Sequence, residues 1–161
     1  MKKTMYFALA ALALTACGTK KSDTAAATDT ATPTADEYVY YEGVLPAADA
    51  DGVRYSLTLD YDDDNPDKGD YKLTETYIKG DSAVSSFLTE GDFDVKTGTP
   101  TDPSARYLVM VPEVEAGETP GQSMYFIAET DSTLTLVSAD LTKAVNPEMN
   151  YTITRVAQLQ K

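Results

Sequence analysis

The sequence predicts an all-β fold, a small up-and-down antiparallel β-barrel of about eight strands that follows a signal peptide and a disordered tether. Three observations carry this. Val53, Tyr55, Leu57, Leu59 and Tyr61 share one parity while Arg54, Ser56, Thr58 and Asp60 take the other, the pattern of a half-buried strand. Further short segments of strand character follow at close intervals, divided by turn residues, and no segment longer than a turn or two has helical periodicity. Closing the sheet on itself removes the edges that such strands would otherwise expose.

The first residues are not part of that barrel. Lys2 and Lys3 precede an apolar run from Met5 to Leu14, and Leu14-Thr15-Ala16-Cys17-Gly18 follows. A basic start, about ten apolar residues and small residues before a cut describe a secretory signal, assigned to residues 1–16. The run is too short to cross a bilayer, which takes about twenty residues. Ending on Cys17, it resembles the lipobox of bacterial lipoproteins, which implies that Cys17 is diacylated through sulfur and becomes the N-terminus. Two or more acyl chains give durable anchoring where one does not. Gly18 is not an acidic residue of the kind that resembles an inner-membrane retention signal, so the expected address is the outer membrane.

Cys17 and the residues up to Glu37 form the tether, 17–37. From Thr19 onward it is nearly all Thr, Ala and Asp, with no large apolar residue. Such a segment cannot bury enough surface to offset the entropy of ordering. Residues 38–161 are read as one domain of ordinary size. Its strands are expected at Tyr38 to Leu45, Val53 to Tyr61, Tyr71 to Lys79, Phe87 to Lys96, Arg106 to Val111, Ser123 to Glu129, Thr133 to Val137, and Asn150 to Val156. Pro46 and the small residues up to Gly52 reverse the chain between the first two in a seven-residue connection. Pro100, Pro103, Pro112 and Pro120 imply longer loops between Thr97 and Gln122.

Composition excludes several functions. The formal net charge is −13, and loss of Lys2 and Lys3 with the signal makes the mature chain more acidic still. Such a surface repels phosphates, so no nucleic-acid role is expected. The chain has no His, no Trp and only one Cys. Without imidazole, and with its thiol spent on lipid, it cannot assemble a Ser-His-Asp or Cys-His device or a soft-metal site. Neither cofactor nor metal is expected.

The opening hairpin carries a family resemblance. Leu45, Pro46, Ala48, Asp49, Gly52 and Val53, followed by the alternating strand, resemble the signature of the NlpE-like lipoproteins, the copper-resistance NlpE N-terminal domain. Tyr71-Lys72-Leu73-Thr74-Glu75-Thr76-Tyr77 resembles that family's third strand, and Asp131 to Leu136 with Asn150 to Ile153 its closing strands. The resemblance implies a lipocalin-like barrel and participation in envelope-stress or surface sensing through contacts with other envelope proteins. In the family this loop usually holds two cysteines in CxxC spacing. Here Ala47 and Ala50 stand in their places, and alanine has no ligand atom, so thiol chemistry and copper binding are not carried over. With Lys161 as the last residue, the second, OB-like domain of some longer members is not expected, and no role of that domain is transferred.

Three places remain as candidate sites. The loop Leu45, Pro46, Ala47, Ala48, Asp49, Ala50 and Gly52 reads either as close packing, with Gly52 supplying a positive φ, or as a partner-facing tip bearing Asp49 and Asp51. The acidic run Asp60 to Asp70 fails the calcium-loop pattern. A start at Asp60 puts Asn65 where Gly belongs and Tyr71 where the bidentate Glu belongs; a solvated strand connection is expected. Glu75 and Arg155 each share the parity of their strand's apolar set. Either they sit wet at a rim or bulge, or they pair inside a polar cavity that holds a small ligand. No pair of inward acids suited to hydrolysis stands out, and the expected protein is not an enzyme. Its alternative role is that of a lipocalin-like carrier for a small apolar or amphiphilic molecule.

Overall fold

Wherever apolar residues recur at every second position a strand forms, and the eight strands pair in chain order. The computed structural model describes residues 38–157 except Glu115, Glu118, Pro120 and Pro147. The signal peptide, Cys17 and the tether lie outside the described residues. The strands are β1 (Val39–Leu45), β2 (Gly52–Asp62), β3 (Asn65–Lys79), β4 (Ser82–Thr97), β5 (Arg106–Pro112), β6 (Met124–Thr130), β7 (Thr133–Val137) and β8 (Thr152–Val156). Each pairs antiparallel with the next, and β1 meets β8 through Tyr40↔Val156, Tyr41↔Arg155 and Glu42↔Thr154. The sheet is thus a closed barrel, the class the alternation predicts, and no helix occurs among the described residues.

The interior is filled by the parity the sequence marks as apolar. Leu57, Leu59, Leu73, Phe93, Met110, Phe126, Leu134 and Ile153 are almost wholly removed from solvent. Each such side chain contributes about 1.5–3 kcal/mol on burial, and no polar or charged residue is buried among the described residues. Strong coiling brings backbones together: a Cβ on Gly69 would lie 2.0 Å from the carbonyl oxygen of Asp60, so only glycine fits where β3 crosses β2.

Most boundaries fall within one residue of those expected, and four differences bear on the sites. β3 begins at Asn65 rather than Tyr71, since Lys68, Gly69 and Asp70 find ladder partners in Asp94, Phe93 and Asp92. The acidic run is therefore mostly strand, and only Asp63 and Asp64 remain to turn the chain. β4 begins at Ser82 rather than Phe87, and the two-residue turn before it holds Gly80 at φ 59°. The β1–β2 connection spans Pro46 to Asp51, one residue shorter than expected, because Gly52 already pairs with Ile78. β8 starts at Thr152 rather than Asn150; Asn150 instead turns its side chain on the backbone, accepting from Thr152 N–H at 3.1 Å and donating to the Val44 carbonyl at 3.0 Å.

The antiparallel order fixes two ends. Tyr38 enters and Ala157 leaves at one, the chain-entry end, with the β2–β3, β4–β5 and β6–β7 connections. The loop end carries the β1–β2, β3–β4, β5–β6 and β7–β8 connections.

Candidate functional sites at the two ends of the barrel

At the chain-entry end the inward parity of several strands runs out in polar groups. β1 ends in Val39 and Tyr41, β2 in Tyr61, β5 in Arg106 below Leu108, and β8 in Arg155 above Ile153. Together with Leu134 they line a cavity of about 540 Å³, within the range of small-molecule sites. Tyr61 meets the Phe93 ring edge-on at 5.0 Å, which closes the cavity toward the core. Arg106 donates from Nη2 to Asp67 Oδ1 at 2.8 Å, and the Tyr41 hydroxyl donates to the Asp131 carbonyl at 3.5 Å.

The field at this end is mixed. Burial pushes the Tyr41 hydroxyl up to about 12, aided by Tyr61 and opposed by Arg155. Burial also raises Tyr61, against the lowering influence of Arg106 and Arg155. Both phenols therefore stay protonated at neutral pH and act as hydrogen-bonding groups, not as bases. Arg106, Arg155 and Lys143 share the lining with Asp67, Asp102, Glu129 and Asp131, so that carboxylates slightly outnumber cations.

Glu75 lies elsewhere. It lines a second cavity, of about 460 Å³, at the loop end with Thr89, Met124 and Leu136. There its carboxylate accepts from Tyr55, and burial together with this hydrogen bond holds the Tyr55 hydroxyl far above its ordinary value. Glu75 and Arg155 are thus placed at opposite ends, each half-buried, and the structure does not bring them together. Arg106, which shares parity with Leu108 and Met110 just as Arg155 shares parity with Ile153, is the cavity residue that the sequence reading misses.

The motif loop is docked onto the β3–β4 turn. Asp51 donates its N–H to the Ile78 carbonyl at 2.9 Å, and its carboxylate accepts from the Gly80 N–H at 2.6 Å. Leu45 is buried, Pro46, Ala47 and Ala50 are half-buried, and Ala48 and Asp49 are exposed. Ala47 packs against the core. Gly52 does not supply a positive φ; among the described residues Gly80, Gly98 and Gly117 are the glycines that do. Its need is space, because a Cβ there would stand 2.6 Å from Val44 Cγ1.

Above the loop end rises a feature the sequence reading leaves unassigned. β4 meets β5 only from Gly91↔Pro112 onward, with the Glu113 N–H closing on the Glu90 carbonyl at 2.9 Å. From Ser82 to Thr89 β4 therefore has β3 on one side and no strand on the other among the described residues. Val84, Phe87 and Leu88 on this arm are 58%, 57% and 54% exposed, and Phe87 stacks edge-on against Tyr77 at 5.8 Å. The sequence signal was present: after the Gly80-Asp81 turn, Ser82 to Thr89 contains neither Pro, Gly nor charge.

Three aspartates stand in a row on the outer wall, Asp60 opposite Asp70 and Asp70 opposite Asp92. Burial and then the hydrogen bond with Asp92 raise the Asp70 carboxyl above its ordinary value. Among the described residues no three His, Cys, Asp or Glu side chains are grouped to hold a metal ion.

The model of one protein family, the NlpE N-terminal domain, matches residues 41–146, from β1 into the β7–β8 connection. No curated protein and no solved structure matches the chain.

Proposed function

From the premise that this chain belongs to the NlpE family, a family of envelope lipoproteins, we propose that it is a non-enzymatic contact module of the bacterial cell envelope. Acyl chains on Cys17 hold it to the outer membrane, residues 17–37 form its stalk, and the barrel engages another envelope protein in stress or surface sensing. The observation that supports this reading is the β3–β4 arm. The arm leaves Val84, Phe87 and Leu88 exposed, with Phe87 on the face of Tyr77 and Leu88 on the other; such apolar exposure is unusual in a chain of formal charge −13, and exposed apolar surface of this kind marks interaction sites. The filled interior and the protonated tyrosines leave little scope for chemistry inside.

Crosslinking in intact cells tests it. The native chain yields a defined adduct, and Phe87→Lys removes that adduct without lowering the amount of protein. Adducts indifferent to Phe87→Lys would place the contact elsewhere. Cys17→Ser, fractionated in parallel, releases the protein from the membrane; retention of the variant would refute the acyl anchor.

The cavity at the chain-entry end favours a second reading, a carrier for a small amphiphile. Val39, Leu108 and Leu134 provide an apolar floor, and Arg106, Arg155 and the aspartates provide a polar mouth. Mixed charges with a slight carboxylate excess at that mouth suit a zwitterionic or hydrogen-bonding head better than a bare anion. Native mass spectrometry of protein purified from its own envelope shows bound ligand mass if the reading is right, and the mass of the lipidated chain alone if it is wrong.

A further inference from the structure

The loop-end cavity of about 460 Å³ has a single charged side chain in its lining among the described residues, that of Glu75. No ion pair among the described residues includes it, and Arg155, the cation that shares its inward parity, lines the cavity at the other end of the barrel. We infer that the loop-end cavity is a binding site for the protonated amine of a small amphiphile, with Glu75 as counter-ion to the head and Met124 and Leu136 against the tail. This site is separate from the contact surface of the β4 arm and from the chain-entry cavity.

The fold opens the barrel wall at this point. β5 joins β4 only from Gly91↔Pro112 onward, where the backbones run so close that a Cβ on Gly91 would stand 2.1 Å from the Val111 carbonyl oxygen. On the loop-end side of that junction Thr89 has no strand beside it among the described residues. The chain instead comes back from the β5–β6 connection, and Gly121, Gln122 and Ser123 line the same recess as Thr89 and Glu75. Hydroxyl and amide groups therefore stand where a neighbouring strand would have sealed the interior.

The chemistry of the lining selects the ligand. A carboxylate has about four lone-pair sites, and Tyr55, which donates to Glu75, occupies one. Glu75 is half-buried, and a charge withdrawn from water is costly until a cation or further donors complete it. An ammonium group supplies both at once, through charge-assisted hydrogen bonds about twice as strong as neutral ones. Phe87 stands opposite Glu75 across the ladder and adds an aromatic ring, which also attracts cations. Met124 and Leu136 pack half-buried against the core and offer the cavity an apolar wall, which a hydrocarbon tail covers better than water does. On the outer wall the carboxylates of Glu90 and Asp94 are answered by Lys72 at 2.6 Å and Lys68 at 3.4 Å; that of Glu75 is left for a cation from outside. The formal charge of −13 draws such a ligand in and repels an anion.

The test uses the full lipidated chain in phosphatidylcholine nanodiscs, titrated by calorimetry with hexylammonium and, separately, with hexanol as its neutral counterpart; empty nanodiscs supply the blank. Hexylammonium binds saturably, and hexanol at least about ten-fold more weakly, as the loss of a hydrogen bond to a charged group requires. Glu75→Gln keeps an acceptor for Tyr55, lowers the affinity for hexylammonium at least about ten-fold and leaves that for hexanol unchanged. The labelled methyl resonance of Met124 reports the place, and it shifts as hexylammonium saturates the native chain. Equal affinity for the two probes, no saturable binding, or a Met124 methyl that stays unmoved overturns the inference on the native chain alone. Hexylammonium binding indifferent to Glu75→Gln overturns it as well. None of these outcomes bears on the β4 contact, which the crosslinks of Phe87→Lys test separately.

Discussion

At the scale of single residues, the tyrosines define what the barrel does with its polar groups. Tyr71 is buried with a hydroxyl that has no hydrogen-bond partner, and burial, with Asp92 and Glu75, pushes it up to about 12. An unsatisfied buried hydroxyl costs about 1–3 kcal/mol. Tyr71→Phe is expected to raise stability by about 1 kcal/mol in urea denaturation. Tyr41, Tyr55, Tyr61 and Tyr71 all hold their protons above the ordinary value of 10.0. The unfolded chain loses these protons first, so stability is intact below pH 10 and declines as pH climbs through 10 to 12. Alkaline titration followed by phenolate absorbance should show a late phase that coincides with unfolding. The sign is similar for Asp70, whose carboxyl is raised: between the ordinary carboxylate value and the raised one, stability falls as pH rises, and levels off above. Asp70→Asn flattens that slope and raises the melting temperature at neutral pH.

At the scale of elements, alternation made β1, β2, β5, β6 and β7 legible to within about a residue, because most of their inward positions are occupied by Val, Leu, Met, Phe or Tyr. The first halves of β3 and β4 were not. Pro66, Asp67, Lys68 and Asp70 are loop formers by propensity, and Ser82 to Ser86 are neutral. What makes them strands is the partner across the ladder, and β-propensity reflects such neighbours more than the backbone. The candidate sites were legible in the same uneven way. Parity singled out Glu75 and Arg155, but strand direction, which sends them to opposite ends, is set by the closed order of the sheet. The motif loop is fastened by Asp51 to the β3–β4 turn. Asp51→Ala should cost about 1 kcal/mol and loosen the base of the arm, seen as faster amide exchange at Gly80.

At the scale of the whole molecule, a closed barrel has no spare edge except where one hairpin outgrows its neighbours, and here that hairpin is β3–β4. Closure rests on the short β1–β8 ladder and on Ile153 beneath it, so Ile153→Ala is expected to cost about 2–5 kcal/mol and to expose the core at that seam. The arm, by contrast, contributes little to the core, which leaves it available for the proposed contact. Amide hydrogen exchange across Ser82 to Thr89 tests that claim most directly. In monomeric protein at high dilution, the amides that point away from β3 should exchange rapidly. In native envelopes the same amides should be slowed at least ten-fold by the proposed partner that covers them. Equal exchange in the two states would mean that the edge stands empty in the cell, and would contradict the account.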